Sequence, residues 1–542
     1  MHSGVVMESN SDSSQVALPL PKRRSPETDL PRQRSDLTSV ETYQLDSRMR
    51  IIFVNPNLRP GNPTGKYLPV GLGYVMTVFK NAGLDYELLD ICLYDYTNDH
   101  VENHFRDNGY DVVLIGSIVT HYKWMKWFTH MVKQYQPNCK VIVGNSVAGS
   151  IPLLWMDKTP TDYIVTGEGE WAALDIIRHL ETGSPPEDIL GITFRNSEGT
   201  VVVTGKRPAV RIQDIPMIDW SDFDVEGYHD VKKSINLSLG VELTDGEELR
   251  VMPVSTARGC VFKCTFCHYV FWDDPYRHRT PDAILAECKR NIEVYGANYI
   301  DFWDDLSFHS LRSTEQLVDA IIGSDLRFYW TAAMRADLFG NPKIVEERRI
   351  TIAHKLREAG CVNIGFSLES GNAEILEMMN KKVELEYFNE SVRILRLAGL
   401  SFCTSVVFGY PTETPQTIRE TFDQCAKNAI YPSIGTLIPL PYTEMYEYAK
   451  EHGYITDEDN YLTNMTERQD LCLNMTQMSD EEFMNCIQEG ASALNEQLGL
   501  GLNDLIKTGK QPAHKGSKLT RNQNDFSFNY AEATFHEKSS TG

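Results

Sequence analysis

The stretch Ser255-Thr256-Ala257-Arg258-Gly259-Cys260-Val261-Phe262-Lys263-Cys264-Thr265-Phe266-Cys267-His268 places three cysteines at C-x3-C-x2-C, with an aromatic, Phe266, directly before the last. It follows the apolar run Val251 to Val254, which reads as a short buried strand, so the cysteines lie on a loop leaving a strand end. Three thiolates on one tight loop can hold three irons of a cubane iron–sulfur cluster and leave the fourth iron open. Gly259 allows a turn where a side chain would crowd the cluster. Zinc could use Cys260, Cys264, Cys267 and His268, but adjacent Cys267 and His268 cannot easily take two corners of one tetrahedron. A disulfide would leave an odd thiol and suits an oxidising compartment. The spacing favours the cluster.

An open iron can chelate the amino and carboxylate groups of S-adenosylmethionine. An electron from the cluster then breaks a C–S bond and gives a 5′-deoxyadenosyl radical, while the protein places the cofactor and excludes solvent. The loop resembles the defining motif of the radical S-adenosylmethionine superfamily, C-x3-C-x2-C with an aromatic before the third cysteine. The resemblance implies a [4Fe–4S] cluster on Cys260, Cys264 and Cys267, with S-adenosylmethionine bound beside Phe266.

Chain length sets the scale: 542 residues accommodate about two to four domains. Acids outnumber bases 75 to 52, a net charge of −23. That argues against nonspecific nucleic-acid binding and fits an acidic soluble protein. The 11 cysteines form one close cluster, and the others are scattered as reduced cytosolic thiols are. No apolar run reaches the ~18 residues of a membrane span, and the N-terminus lacks an apolar signal core. The expectation is a cytoplasmic protein with no membrane partner.

Residues 1–48 are rich in Ser, Pro, Arg and Asp and read as a disordered leader, in which Lys22-Arg23-Arg24 reads as a solvated charge run over the alternative of a localisation patch. Strand and helix patterns then alternate over 49–185. Strands are expected at Ile51 to Val54, Tyr86 to Asp90, Asp111 to Gly116, Lys140 to Gly144 and Asp162 to Val165, with helices at Pro69 to Ala82, Trp124 to Tyr135 and Glu170 to Leu180. Apolar strands throughout mark a parallel sheet covered on both faces, a doubly wound Rossmann-like fold whose ligands bind at the strand carboxyl ends.

Four features of this region resemble the cobalamin-binding domain that precedes many radical S-adenosylmethionine domains. They are Asn55-Pro56, Pro69-Val70-Gly71-Leu72-Gly73-Tyr74, the Ser-x-x-Thr of Ser117 to Thr120, and Gly167-Glu168-Gly169-Glu170. The resemblance implies cobalamin contacts from Asn55, Gly71, Ser117, Thr120, Gly144 and Glu168. One departure stands out: the Asp-x-His-x-x-Gly pattern becomes Asp90-Ile91-Cys92-Leu93-Tyr94-Asp95, so no histidine at that place supplies a lower axial ligand. A domain of this fold that binds nothing is the competing reading.

Residues 186–250 read as a connector with a short β pattern at Ile192 to Phe194 and Val201 to Thr204. From Val251 to about 450, six candidate strands alternate with helices: Val251–Thr256, Tyr299–Trp303, Phe328–Ala332, Val362–Ser367, Ser401–Phe408 and Ile434–Leu440. That suits a partial (β/α)6 barrel with reactive loops at the carboxyl ends of its strands. Within the resemblance, those ends supply the S-adenosylmethionine contacts. Asp304 or Asp305 faces the methionine amino group. Arg335 is placed to fork onto the carboxylate, or else makes a structural ion pair. Ser367 and Glu369 bind carboxylate and ribose, and the backbone at Gly409 approaches adenine. Pro439-Leu440-Pro441-Tyr442-Thr443 matches a family motif except that Tyr442 stands where Gly is usual.

Residues 451–500 read as helices that cover the barrel mouth, and 501–542 as a polar disordered tail. Over about residues 50–455 the domain order resembles that of cobalamin-dependent radical S-adenosylmethionine methyltransferases, which implies methylation of an unactivated carbon, with a small-molecule or natural-product substrate and an external electron donor. A radical cyclase like the anaerobic magnesium-protoporphyrin ester cyclase and a non-catalytic corrinoid or S-adenosylmethionine sensor share the architecture. A methylthiotransferase needs three more N-terminal cysteines, where only Cys92 and Cys139 occur.

Overall fold

The structure, a computed structural model, describes residues 44–45, 47–62, 65–233, 248–267, 274–466, 468–502, 505–506, 519–521 and 528–530. The expected leader before residue 44, His268 and most of the expected tail lie outside them.

Five parallel strands open the fold: β1 (Ile51–Asn55), β2 (Glu87–Asp90), β3 (Val112–Gly116), β4 (Lys140–Gly144) and β5 (Tyr163–Val165). They lie in the order β2-β1-β3-β4-β5. The continuous apolar runs are explained by two cores. Ile51 and Phe53 join one, while Ile52 and Val54 join the other on the opposite face. The region expected as a connector contributes to this sheet instead. β6 (Ile192–Arg195) pairs antiparallel with β5, and β7 (Val201–Val203) pairs antiparallel with β6. Ile192 and Phe194 bury in the same core as Tyr163 and Val165, so the first domain runs past residue 185.

The second sheet starts at β8 (Val251–Val254). A two-stranded ribbon follows, β9 (Ala257–Arg258) against β10 (Arg277–His278), with the cysteine loop between its strands. β11 (Tyr299–Phe302), β12 (Tyr329–Ala333), β13 (Cys361–Gly365) and β14 (Ser401–Cys403) continue in parallel, in the order β14-β13-β12-β11-β8. β15 (Ser405–Phe408) carries on from β14 after a break at Thr404 and pairs in parallel with β16 (Ser433–Thr436). With β14 and β15 counted as one broken strand, this is a six-stranded partial barrel. Ile300, Phe302, Trp330, Ile364, Phe402, Val406, Phe408 and Ile434 all belong to the core shared with the outer helices. Strand alternation then turns Asp301, Thr331, Asn363, Cys403, Ser405, Ser433 and Gly435 toward the barrel interior.

The segment after the barrel braces both halves rather than simply capping one. Leu462 and Met465 enter the second core of the first domain, and Asp459 accepts from Tyr122 (2.6 Å) and Lys126 (2.7 Å). The Thr436 N–H donates to Arg468 O (2.7 Å), so residue 468 lies along the free edge of β16. In the last part of the chain, β17 (Leu519–Arg521) and β18 (Phe528–Tyr530) pair antiparallel, and Tyr431 donates to Leu505 O (2.7 Å). Among the described residues no helix is long and apolar enough to cross a membrane.

Candidate active site

The cysteine loop is pinned on both sides. Asp304, beyond the end of β11, accepts from the N–H of Thr256 (2.9 Å) and Ala257 (3.3 Å) and from the Thr256 hydroxyl (2.6 Å). Burial raises its carboxyl to about 6. Thr265, between the second and third cysteines, donates its N–H to Met379 O (3.0 Å) and its hydroxyl to Met378 O (2.9 Å). Asn380 donates to Lys263 O (2.6 Å). Gly259 has φ +93°, a conformation that admits no Cβ cheaply.

The three thiols sense one another. Burial raises each of them, Cys267 to about 12; the Cys260 thiol further raises Cys264, and both raise Cys267. Lys381 and Arg335 act on Cys260 and Cys264 in the opposite sense. Grouped thiols that resist ionisation when empty, set beside two cations, fit an iron–sulfur cluster, whose irons take thiolate and whose net charge is negative. Among the described residues no three of His, Cys, Asp and Glu converge on one metal ion, whereas a cubane asks only one thiolate of each iron.

The two aspartates divide. Asp304 is spent on the loop backbone, whereas Asp305 faces Cys260 and Cys267 electrostatically and is accessible to solvent. Arg335 stacks on Phe262 (3.4 Å from Cζ to the ring centroid), pairs with Asp337 (2.9 Å) and donates to Lys381 O (2.8 Å) and Lys382 O. Its fork is engaged by the protein itself. Buried Glu369 sits in the left-handed region (φ +65°) and pairs with half-buried Lys381 (2.7 Å). Ser367 accepts from Ser405 (2.8 Å), and Phe266 packs edge-on to Tyr410 (6.5 Å). The Gly409 N–H donates to Glu413 (3.2 Å).

Burial pushes the Glu413 carboxyl up to about 7. The sign follows from linkage. The unfolded chain ionises near 4.5 and the folded one near 7, so stability falls as pH rises between them and is flat above. The full loss is about 3 kcal/mol at ~1.4 kcal/mol per unit. Glu413→Gln is expected to flatten that fall, as read from denaturant unfolding at pH 5 and 8.

Tyr442 explains the usual glycine. Its φ is +71°, a region costly for a bulky residue. Tyr442→Gly is expected to raise stability by about 1 kcal/mol in the same assay.

The carboxyl ends of the first sheet are open where a flat ring would lie. A Cβ on Gly71, Gly144 or Gly167 would meet no atom within 4 Å. The apolar Leu58 and Ile118, on the segments that follow β1 and β3, are exposed. Backbone without side chains, rimmed by apolar groups, fits a corrin. Ser117 is buried with its Oγ 3.0 Å from His121 Nδ1, and His121 stacks on Trp124 at 4.8 Å; Thr120 lies in the same turn. Asn55 points inward instead, donating to Asp90 (2.8 Å), which also accepts from Tyr228 (2.8 Å) on the helix Val225–Lys233.

Glu168 joins a set of ion pairs between the domains that sequence reading missed. Arg277 grips it with both guanidinium nitrogens, Arg258 lies 3.4 Å away, and Arg258 also pairs with Glu170 (2.6 Å) and covers the Tyr74 ring at 4.5 Å. Arg258 and Arg277 are cross-strand partners on the β9–β10 ribbon, and Arg258 stands two residues before Cys260. The only sequence signal was two arginines flanking the cysteine loop.

Comparison with known proteins agrees with this division. Residues 254–425 match the family model of the radical SAM superfamily, and residues 61–177 match that of the B12 binding domain. An uncharacterised methyltransferase, PH0819 of Pyrococcus horikoshii, is 25% identical over 385 residues, 70% of this chain and 78% of that protein. The anaerobic magnesium-protoporphyrin IX monomethyl ester cyclase of Rubrivivax gelatinosus is 22% identical over 424 residues, 76% and 72% of the two chains. The solved structure of OxsB, a cobalamin-dependent S-adenosylmethionine radical enzyme with aqua-cobalamin and S-adenosylmethionine bound, superposes with a TM-score of 0.59 at 15% identity. The match covers 84% of this chain and 62% of that one. With a B12-binding fold at one end of the clamp and the three-cysteine barrel at the other, the chain belongs to the cobalamin-binding-domain-containing radical SAM enzymes and takes a [4Fe–4S] cluster, S-adenosylmethionine and cobalamin as cofactors.

Proposed function

We propose that this enzyme methylates an unactivated carbon of a small-molecule or natural-product substrate. The observation that carries the proposal is the clamp: Arg258 and Arg277, flanking the cysteine loop, grip Glu168 and Glu170 at the open end of the first sheet. It sets the two cofactor faces against each other, so one substrate can reach both. When bound, the cluster supplies the electron that cleaves S-adenosylmethionine to a hydrogen-abstracting radical, and the corrin supplies the methyl group.

The chain's own residues hold and wall this space. Cys260, Cys264 and Cys267 carry the cluster. Asp305, Ser367, Glu369 and Gly409 would hold S-adenosylmethionine, and Gly71, Gly144, Ser117 and Thr120 would hold the corrin. Tyr67 of the first domain touches Trp303 of the barrel (5.0 Å), and both stay about half exposed, so they form a wall of the cleft from each side. The net charge of −23 supports a small substrate over nucleic acid, and reduced scattered thiols support a cytoplasmic setting with an external electron donor.

Similarity to the PH0819 methyltransferase supports methyl transfer. Similarity to the magnesium-protoporphyrin cyclase supports the second reading, radical ring formation without net methyl transfer. The test is anaerobic reconstitution with iron, sulfide and hydroxocobalamin, then reductant and S-adenosylmethionine. Matched 5′-deoxyadenosine and S-adenosylhomocysteine support the methyltransferase. Deoxyadenosine alone supports the cyclase. Neither product, with the cluster present, sinks both and leaves a sensor.

A further inference from the structure

Arg468 comes from the segment after the barrel, yet its guanidinium enters the barrel. A Cβ on Gly435 of β16 would stand 2.9 Å from Nε and 3.3 Å from Cζ, so the guanidinium lies against the strand where a side chain is missing. Gly435 and Ser433 face the interior, because Ile434 between them is buried toward the outer helices. Nη2 donates to the Ser433 hydroxyl (2.7 Å) and to Ser433 O (3.3 Å). Among the described residues, Nε and Nη1 donate to nothing and no carboxylate lies within 4 Å of the group. The carboxylate that acts on it electrostatically is Glu369, already paired with Lys381 at 2.7 Å.

This arrangement is incomplete. Burial pulls the Arg468 pKa down, with Glu369 acting in the other direction. A half-buried guanidinium with two nitrogens unengaged among the described residues still has its fork free, and an oxyanion would complete it with charge-assisted hydrogen bonds. The site lies at the barrel mouth. β15 pairs Ser405 with Ser433, and Glu369 bridges to Val406, so Arg468 stands level with the Ser367–Glu369 turn at the end of β13. Arg335, the arginine expected to serve a carboxylate here, is committed to Asp337, Phe262 and two backbone carbonyls.

We infer that Arg468, seated on Gly435 beside Ser433, Ser367 and Ser405, is an anion-binding residue that receives a carboxylate or phosphate oxygen pair at the barrel mouth. The inference rests on the proposed function in placing S-adenosylmethionine and the substrate there. Two sources present that chemistry: the methionine carboxylate of S-adenosylmethionine, and an acidic group on the methyl acceptor.

The experiment uses the full chain loaded anaerobically with its cluster, as wild type, Arg468→Met, Arg468→Lys and Gly435→Ala. Binding of S-adenosylmethionine and of its decarboxylated analogue is measured by calorimetry, and inorganic phosphate is then titrated into the S-adenosylmethionine-saturated protein. If the cofactor carboxylate is the anion, Arg468→Met weakens S-adenosylmethionine about 10- to 100-fold, the worth of a charged hydrogen-bonded pair, and leaves the decarboxylated analogue unchanged. If the acceptor supplies the anion, S-adenosylmethionine binds alike to both proteins, and phosphate binds wild type but not Arg468→Met. Arg468→Lys retains part of the affinity in either case. Gly435→Ala, which fills the seat, reproduces the loss and decides the matter if Arg468→Met fails to hold iron. Equal binding in both arms by wild type and by variants of full iron content overturns the inference and leaves the proposed function standing. Wild type that takes no S-adenosylmethionine sinks the proposed function, while phosphate titrated into the cluster-loaded wild type and Arg468→Met without S-adenosylmethionine still reads Arg468.

Discussion

Replacing Arg277 by methionine is expected to lower unfolding free energy by about 3–5 kcal/mol, because Glu168 is then left buried with only the more distant Arg258. Both side chains are nearly inaccessible, 4% for Arg277 and 7% for Glu168. Burial alone would raise the Glu168 carboxyl, but the Arg258 and Arg277 guanidiniums overcome it and hold the pKa below its ordinary value. The pair therefore stabilises the fold above the unfolded carboxyl value near 4.5, and that stability is lost as pH falls through the lower folded value. The deficit of Arg277→Met against wild type should accordingly be largest at neutral pH and shrink in acid. Glu168→Gln/Arg277→Met is expected to recover part of the loss, since it removes the charge that the single variant strands. Denaturant unfolding of the four proteins of this cycle measures the coupling. Additive losses below about 1 kcal/mol would mean that the clamp does not join the domains. The same variants test function: a cluster loop freed from the first sheet should still hold iron yet lose the product that needs both cofactors.

A Cys264→Ala variant should keep cobalamin and lose the cluster. Cys264 lies beside the Lys381–Glu369 pair and is electrostatically linked to Cys260, so its removal opens one iron corner inside the enclosed part of the loop. Iron content, visible absorption and 5′-deoxyadenosine are expected to fall to background, while corrin binding by the first sheet stays at the wild-type level. Cys92→Ala and Cys139→Ala are the matched controls. Both thiols are buried, and burial pushes them up to about 11 and 12, so they are inert packing groups whose loss should leave iron unchanged. Deoxyadenosine formation by Cys264→Ala at the wild-type rate would remove the cluster from the mechanism.

The strands of both sheets and most of their helices were legible because they rest on local periodicity, although the helix Asn98–Asp107 was not among those expected. Ile51 to Val54 is apolar at every position because two cores claim alternate residues, and that pattern is visible without any partner. The cysteine loop was legible for a similar reason, since one short segment carries all three cysteines of the motif. β9 and β10 were not, because a two-residue strand has no period, and β6 and β7 gave no sign of which sheet they would join.

The sequence by itself determined the order of the two folds, the three-cysteine motif, and the strand ends proposed for the cofactors, all of them properties of contiguous residues. Tertiary structure alone decided which polar groups at those ends remain available. It spent Asp304 on the loop backbone and left Asp305 accessible, and it turned Arg335 onto Phe262 and Asp337. It took Glu168 for Arg277, 109 residues away in the chain, and brought Arg468 against Gly435. A charged side chain near a buried site settles on whichever partner lowers its desolvation cost, and packing, not spacing along the chain, chooses that partner.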